Sequence, residues 1–471
     1  MLARILLQVG LSCHGPTKFS AFFSNSNENI HTMFQAIIKG AVWVSIYFGI
    51  VIFTTLLFLA GDVPPPRTFW IEFGVLLGFA LILTIALQFF LTSRFRGIGA
   101  PFGTDAVLQF HRYAGIFLLL FLVGHPLILF FADTEYLKFL DPGENAPRAA
   151  ALVLASIAMT FIVVLSLWRK QFGLSYEWWR LRHGLLSVGV VLVGIAHAWQ
   201  VGHYVQGWGK RGLLVFIGGS TVLSYVYVRG FRPWKMRRYP YRVAEVREER
   251  GESATIALEP VKHTGMTFRA GQYAWLTLGD SPFTLQQNPY SFSSSDQLSP
   301  GRLEFTAKEL GDFSERLIDA AVGTRAFLEG PYGLFCLDDD SPGAIFIMGG
   351  IGITPAMSIL RSARDRRDQR SFIVFYGNAK WKEIAFRSEL ESLQKQINLR
   401  IVHVLSDADS DWQGEKGYIS QEILKRHIGD QESVYPVFIC GPEPMMDSVE
   451  EALLKMGVPL HQIRAERFDI A

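Results

Sequence analysis

The sequence predicts three parts in series: an α-helical six-helix transmembrane bundle, a small antiparallel β-barrel, and an α/β unit on a parallel sheet. Three observations carry this. Six apolar stretches crowd the first half, at about 36–60, 70–91, 107–131, 150–168, 183–200 and 212–229. Beyond about residue 240 the pattern becomes short alternating strands (YRVAEVREE, ATIALEP, YAWLTL, RLEFTAKE) separated by glycine and proline turns. Beyond about residue 340 strands alternate with helical segments, the rhythm of a parallel sheet.

Composition agrees with that division. The 471-residue chain is 49% hydrophobic yet 19% charged, a mixture that suits a membrane part joined to a soluble one. A net charge of +2 and the lack of a basic stripe with interleaved aromatics argue against nucleic-acid binding. Cys13, Cys336 and Cys440 are too few and too scattered for a four-cysteine iron–sulfur site or a disulfide framework. The boundaries expected are an extension at 1–33, a membrane domain at 34–230, a basic aromatic linker at 231–240, a barrel at 241–338 and an α/β domain at 339–471. Residues 1–33 read first as an upstream misread start with Met33 as the initiator, and second as a targeting segment.

Helices suit the apolar stretches because each satisfies its own backbone groups in lipid. Arg94, Arg96, Arg169, Lys170, Arg180, Arg182, Arg232, Lys235, Arg237 and Arg238 fall on one side of the bilayer. The opposite loops hold fewer cations, diluted by Asp133, Glu135, Asp141 and Glu144. The positive-inside rule therefore expects a plasma (bacterial inner) membrane protein with both termini and the soluble parts in the cytosol.

Two apolar stretches begin and end in histidine: HRYAGIFLLLFLVGH from His111 to His125, and HGLLSVGVVLVGIAH from His183 to His197. Fourteen residues return a helix face to within roughly 40° and rise about 21 Å. Both helices start inside, so His111 pairs with His183 near the cytosol and His125 with His197 near the outer face. Neutral imidazole is a common axial ligand of haem iron, and two bis-histidine b-type haems are the expected occupants. A proton-conducting or sensor role is the alternative from another class. Arg112 is a candidate partner for propionates of the inner haem, or an ordinary interfacial anchor.

The soluble part holds further motifs. In Asn288-Pro289-Tyr290-Ser291-Phe292-Ser293-Ser294, the Tyr290 ring can cover a flavin face while the Ser291 and Ser293 hydroxyls bond its edge. Gly311, Asp312 and Phe313 lead into a helix expected at Ser314, whose N-terminus suits a pyrophosphate. Gly349, Gly350 and Gly352, followed by Thr354 and Pro355, allow close backbone approach to phosphates between a strand and a helix. Cys440, Gly441, Pro442 and Met445 follow a second strand, and the two turns together outline a dinucleotide crevice.

Paired histidines on helices three and five, joined to these motifs, resemble the NADPH oxidases and transmembrane ferric reductases over about residues 34 to 471. The resemblance implies a ferric-reductase-type membrane domain followed by an FAD-binding β-barrel and a Rossmann-like nucleotide domain. It assigns flavin stacking to Tyr290, N5 bonding to Ser291 and the FAD pyrophosphate turn to Gly311 through Ser314. It also places Cys440 near the reacting nicotinamide carbon and makes Phe468 a candidate cover for the flavin. Asn288 departs from the pattern by standing where the family has a basic residue. The implied activity is electron transfer from cytosolic NADPH (or NADH) through FAD and two haems to dioxygen at the outer face, forming superoxide. A ferric or cupric chelate is the alternative acceptor. Lys380, Lys382, Arg361 and Arg364 are candidates to attract the 2′-phosphate of NADPH. The Asp338–Asp340 run is too short for a calcium loop, so no calcium is expected; a regulatory or partner subunit is left open.

Overall fold

The computed structural model describes residues 26–61, 64–95 and 103–468. Cys13, most of the extension expected at 1–33 and the last three residues lie outside these. Among the described residues, six helices are long and apolar enough to cross a membrane. They are α1 (Ser26–Leu59), α2 (Phe69–Thr92), α3 (Gly103–Ala132), α4 (Pro142–Leu167), α5 (Tyr176–Val201) and α6 (Trp208–Val226). The chain divides at Ile46, within α1, and all that follows concerns the unit from Tyr47 onward.

Two helices start earlier than their apolar runs. Asp141 caps α4 by accepting from the Gly143 N–H at 2.8 Å, and Pro142 opens the first turn. Seven residues, Tyr176 to Arg182, all but Leu181 aromatic or charged, begin α5, so hydropathy alone passes them over. The segment expected as a linker is also helical: α6 continues through a π-turn at Tyr227–Phe231 into α7 (Arg232–Met236).

Within the bundle α2 is central. Its Phe79, Leu83 and Ala86 pack with Val51 and Phe58 of α1 and with Leu214 and Ile217 of α6. Its opposite side, Leu81 and Ile85, packs with Leu118 of α3, Met159 and Ile162 of α4, and Val190 and Val191 of α5.

The first soluble sheet is antiparallel: β1 (Pro240–Glu249), β2 (Ser253–Pro260), β3 (Tyr273–Leu278), β4 (Asn288–Ser291), β5 (Leu303–Lys308) and β6 (Arg325–Tyr332), in the order β4-β3-β6-β1-β2-β5. A bridge from Phe292 to Phe305 draws the end of β4 toward β5 and curls the sheet into a half-barrel. Phe268, Phe292 and Phe305 fill its core. Against the β5 end lies α8 (Asp312–Ile318).

The second sheet is wholly parallel, in the order β10-β9-β8-β7-β11-β12. Its strands are β7 (Gly343–Gly349), β8 (Ser371–Asn378), β9 (Leu399–Leu405), β10 (Glu415–Lys416), β11 (Val437–Cys440) and β12 (Ile463–Ala465). Helices α9 (Thr354–Arg366), α10 (Arg387–Leu393), α11 (Gln421–His427) and α12 (Glu443–Lys455) connect and cover them. One face of α9 bolts the two sheets together. Ser358 Oγ donates to the Ser294 carbonyl at 2.7 Å, and Arg361 donates to the Ser293 carbonyl at 2.7 Å while paired with Glu304 and Glu389.

The half-barrel is tied to the membrane helices through Glu329 on β6. Its carboxylate meets Arg232 of α7 at 2.6 Å and Arg94, just past α2, at 3.4 Å. Tyr332 adds a hydroxyl donor at 2.7 Å. Arg232 also donates to the carbonyls of Ser93 and Arg94. Arg94 adopts a left-handed φ of 50°, which stops α2 sharply, and its guanidinium lies 4.3 Å from the Trp275 ring centre. Arg180 of α5 donates to the Leu285 carbonyl at 3.0 Å.

Burial alone would raise the Glu329 carboxyl, but the Arg94 and Arg232 guanidiniums more than offset it and hold it below the usual carboxylate range. A lowered carboxylate pKa contributes stability above the ordinary value and loses it as pH falls through the folded value. The junction should therefore hold at neutral pH and release below about pH 4. Arg232→Met leaves the buried carboxylate with a single, longer ion pair and is expected to cost about 3–5 kcal/mol. A thermal midpoint of the soluble part equal to wild type would contradict this.

Candidate functional site

The histidines at the starts of the α3 and α5 repeats meet. His111 and His183 face each other with ring centres 5.9 Å apart and planes at 64°. An imidazole nitrogen lies about 2 Å from a coordinated first-row metal, so two imidazoles on opposite sides of one ion put their ring centres roughly 6 Å apart. The inner pair fits that spacing.

Hydrogen bonds decide which nitrogen each ring offers. His111 Nδ1 lies 2.8 Å from Gln88 Oε1, and His125 Nδ1 lies 2.7 Å from the Gly74 carbonyl. Both partners are acceptors, so Nδ1 carries the hydrogen and Nε2 keeps its lone pair. At the outer level His197 Nδ1 is buried without a partner, and its ring lies edge-on to Phe139 at 5.6 Å. Arg148 covers Phe139 with its guanidinium carbon 4.6 Å from the ring centre.

The glycines divide by role. A Cβ on Gly78 would sit 2.8 Å from the His125 ring, one on Gly184 2.5 Å from Tyr225, and one on Gly194 2.9 Å from Ile82. Those three serve helix contacts. At Gly115 and Gly189, between the histidine levels in sequence, a Cβ would meet nothing within 4 Å, so a flat ring could approach the backbone there.

Arg112 is exposed on α3, with no hydrogen bond or ion pair among the described residues. The geometry does not bring it into the cluster. Arg180, one turn before His183, instead has a buried Nε without a partner. Its neighbour Trp179 lies against His183 at 5.1 Å.

In the half-barrel, Tyr290 and Ser291 stand on β4, where Ser291 pairs in register with Tyr273 of β3. The Ser291 hydroxyl is buried without a partner. Burial pushes the Tyr290 phenol above its ordinary range, and its ring stacks on Phe313 at 6.0 Å. Phe468 lies edge-on to Tyr273 at 5.6 Å, beside the same strand pair.

Ser293 differs from expectation. It is fully buried, and its hydroxyl accepts from Thr306 Oγ1 at 2.9 Å. β4 ends at Ser291, and beyond it the chain runs into the barrel wall, where the Ser293 N–H donates to the Glu304 carbonyl at 2.8 Å and the Ser293 carbonyl meets Arg361 of α9. Ser314 also changes role: α8 begins at Asp312, with Gly311 before it. Ser314 Oγ accepts from the N–H groups of Leu310 and Gly311 at 2.9 and 3.0 Å, closing the turn from inside the helix. Phe313 is buried in the barrel core.

The two glycine turns meet at the carboxyl edge of the parallel sheet. A Cβ on Gly352 would lie 2.5 Å from the Cys440 carbonyl, and one on Gly349 2.7 Å from Met445 Sδ and 2.9 Å from Pro442. One on Gly441 would lie 2.7 Å from Met445 Cε and 3.0 Å from the Gly349 nitrogen. Close packing of the turns thus requires these glycines, while Gly350 meets a left-handed φ of 52°. Thr354 Oγ1 bonds back to the Ile351 carbonyl at 3.2 Å, and the Cys440 side chain packs in the core.

Of the cations expected to meet a 2′-phosphate, three are already paired. Arg361 is buried against Glu304 and Glu389, Arg364 pairs with Asp365, and Lys380 pairs with Asp407 at 3.2 Å. Lys382 is exposed. The sequence reading gave no site role to Gln88, Trp275 or Glu329, and read Arg94 only as an interfacial cation. Of these only Gln88 carried a signal, as a lone amide in an apolar 24-residue helix.

Comparison with known proteins follows this division. Residues 77–194 match the family described as ferric reductase like transmembrane component, and residues 346–451 the oxidoreductase NAD-binding domain. Ferredoxin–NADP reductase B of Sorangium cellulosum is 31% identical over 222 residues, covering 45% of this chain and 91% of that protein. The xylene/toluene monooxygenase electron transfer component XylA of Pseudomonas putida is 29% identical over 220 residues. That alignment covers 45% of this chain and 61% of XylA. Among solved structures, the flavohem-like FAD/NAD-binding domain of nitric oxide dioxygenase from Vibrio cholerae O1 biovar El Tor aligns with a TM-score of 0.44 and 22% identity. It covers 48% of this chain and 97% of that one. The soluble part of the chain belongs to the ferredoxin–NADP reductase family of NAD(P)H-dependent oxidoreductases, and it is fused to a ferric-reductase-like membrane domain.

Proposed function

We propose that this protein carries electrons from cytosolic NADPH or NADH, through FAD and two b-type haems, to an acceptor at the outer face, with dioxygen reduced to superoxide as the first reading. The observation that carries it is the inner histidine pair at 5.9 Å, on the two helices whose outer ends hold the second pair. When bound, FAD supplies the division of a hydride into single electrons, and the haems supply one-electron steps across the bilayer.

The chain's own residues have these parts. His111 and His183 hold the inner haem, and His125 and His197 the outer one. Arg180 is better buried than Arg112 to meet an inner propionate. Tyr290 covers a flavin face, and the unpartnered Ser291 hydroxyl bonds the flavin edge. Gly311, Asp312, Phe313 and Ser314 shape the pyrophosphate turn, and Asn288 leaves out one charge-assisted bond there. Phe468 shields the flavin beside Tyr273 until nicotinamide replaces it. The crevice of Gly349, Gly350, Gly352 and Thr354, facing Cys440, Gly441, Pro442 and Met445, receives the coenzyme. The cation distribution supports cytosolic termini in a plasma or bacterial inner membrane. The match to a ferric reductase like component supports a second acceptor class, ferric or cupric chelates.

The test is NADPH-driven, superoxide-dismutase-sensitive reduction of cytochrome c in air by purified, FAD-supplemented protein. Loss of that signal in His125→Leu is expected. Anaerobic haem reduction without the signal in air would replace dioxygen by a chelate. Lys380 is already engaged by Asp407, and both side chains are exposed to screening solvent. Lys380→Ala is therefore expected to change the ratio of kcat/KM for NADPH and NADH by less than about fivefold. A larger change in steady-state rates would restore Lys380 as the 2′-phosphate anchor.

A further inference from the structure

Gln88 lies four residues before the C-terminal end of the apolar α2 and is 5% exposed. Both ends of its amide are used: Nε2 donates to Tyr47 Oη at 2.8 Å, and Oε1 accepts from His111 Nδ1 at 2.8 Å. Tyr47 is itself buried and lies edge-on to Phe110, the residue before His111. A buried amide in hydrocarbon is costly unless satisfied, and here it is satisfied through a histidine expected to bind metal.

The other three histidines are held differently. His183 Nδ1 is 3.4 Å from Ser166 Oγ, whose hydroxyl already donates to the Ile162 carbonyl. His125 uses the backbone carbonyl of Gly74, and His197 Nδ1 has no partner. Among the described residues, Gln88 is therefore the side chain that holds a histidine of the set at ordinary hydrogen-bond distance.

We propose that Gln88 is the positioning residue of the inner haem: it fixes the His111 ring plane and tautomer and lowers that haem's potential. The inference rests on the haem reading above. A hydrogen bond from Nδ1–H to an amide oxygen makes Nε2 a stronger donor, which favours the oxidised metal. Through α2 the same helix reaches Arg94 and the Glu329 junction, so the ligand and the flavin-bearing sheet share one support.

The test uses full-length purified protein with Gln88→Leu, Gln88→Glu and Ser166→Ala. Haem content by pyridine haemochrome, spectroelectrochemical titration and the low-spin ferric EPR signal are read for each. Gln88→Leu is expected to keep two haems while shifting the reduction equilibrium of one by about tenfold, about 59 mV upward for one electron. Gln88→Glu, with a stronger acceptor, shifts the same haem downward and restores a single EPR signal if the leucine variant is heterogeneous. Ser166→Ala leaves both potentials in place. Two unchanged potentials and EPR signals in Gln88→Leu and Gln88→Glu would overturn the proposal while leaving the haem reading intact. Wild-type protein without haem would overturn that reading and the proposal with it.

Discussion

The structure depends on one buried carboxylate. Glu329 reaches from the half-barrel to Arg94 and Arg232, and Arg232 in turn holds the carbonyls that end α2. A partly buried ion pair stabilises only when its geometry and remaining lone pairs are satisfied, and Tyr332 and Gln287 complete this one. Removing it would leave the two domains joined by the short path from α7 to β1 and by single contacts such as Arg180 to the Leu285 carbonyl and Arg94 over Trp275. With it, the strand pair carrying Tyr290, Ser291 and Tyr273 has a defined place beneath the membrane helices. Electron transfer between domains needs that definition more than it needs affinity.

A second coupling lies inside the soluble part. Arg361 is buried between Glu304 of the half-barrel and Glu389 of α10, and it also donates to the Ser293 carbonyl. The NPYSFSS run therefore does two jobs in succession. Tyr290 and Ser291 remain at the candidate flavin surface, and Ser293 and Ser294 fasten the two sheets. β4 ends at Ser291, so the serines beyond it leave the candidate flavin surface for the contact between the sheets.

Much of this was legible in the sequence. Long apolar runs report helices directly, because a bilayer demands length and self-satisfied backbones. Fourteen-residue histidine spacing reports two levels, because helical geometry is nearly rigid. The glycine turns were legible as turns, although their closest constraint is the packing of one turn on the other. What could not be read was pairing between distant residues. Nothing local marks Glu329 as the partner of Arg94, or Asp407 as the partner of Lys380. The π-turn that carries α6 into α7 was likewise hidden, since its basic and aromatic residues suit a linker equally well. Arg112 is exposed beside His111, a placement that the sequence does not reveal.

The central claim is that electrons cross the bilayer through the two histidine levels. Proteoliposomes with the soluble part outside, a membrane-impermeant one-electron acceptor trapped inside and NADPH or NADH added outside test it most directly. Reduction of the trapped acceptor in wild type, abolished in both His111→Leu and His125→Leu while the flavin still reduces, is the predicted result. Reduction of the trapped acceptor that persists in either variant, with no free mediator present, would contradict the account.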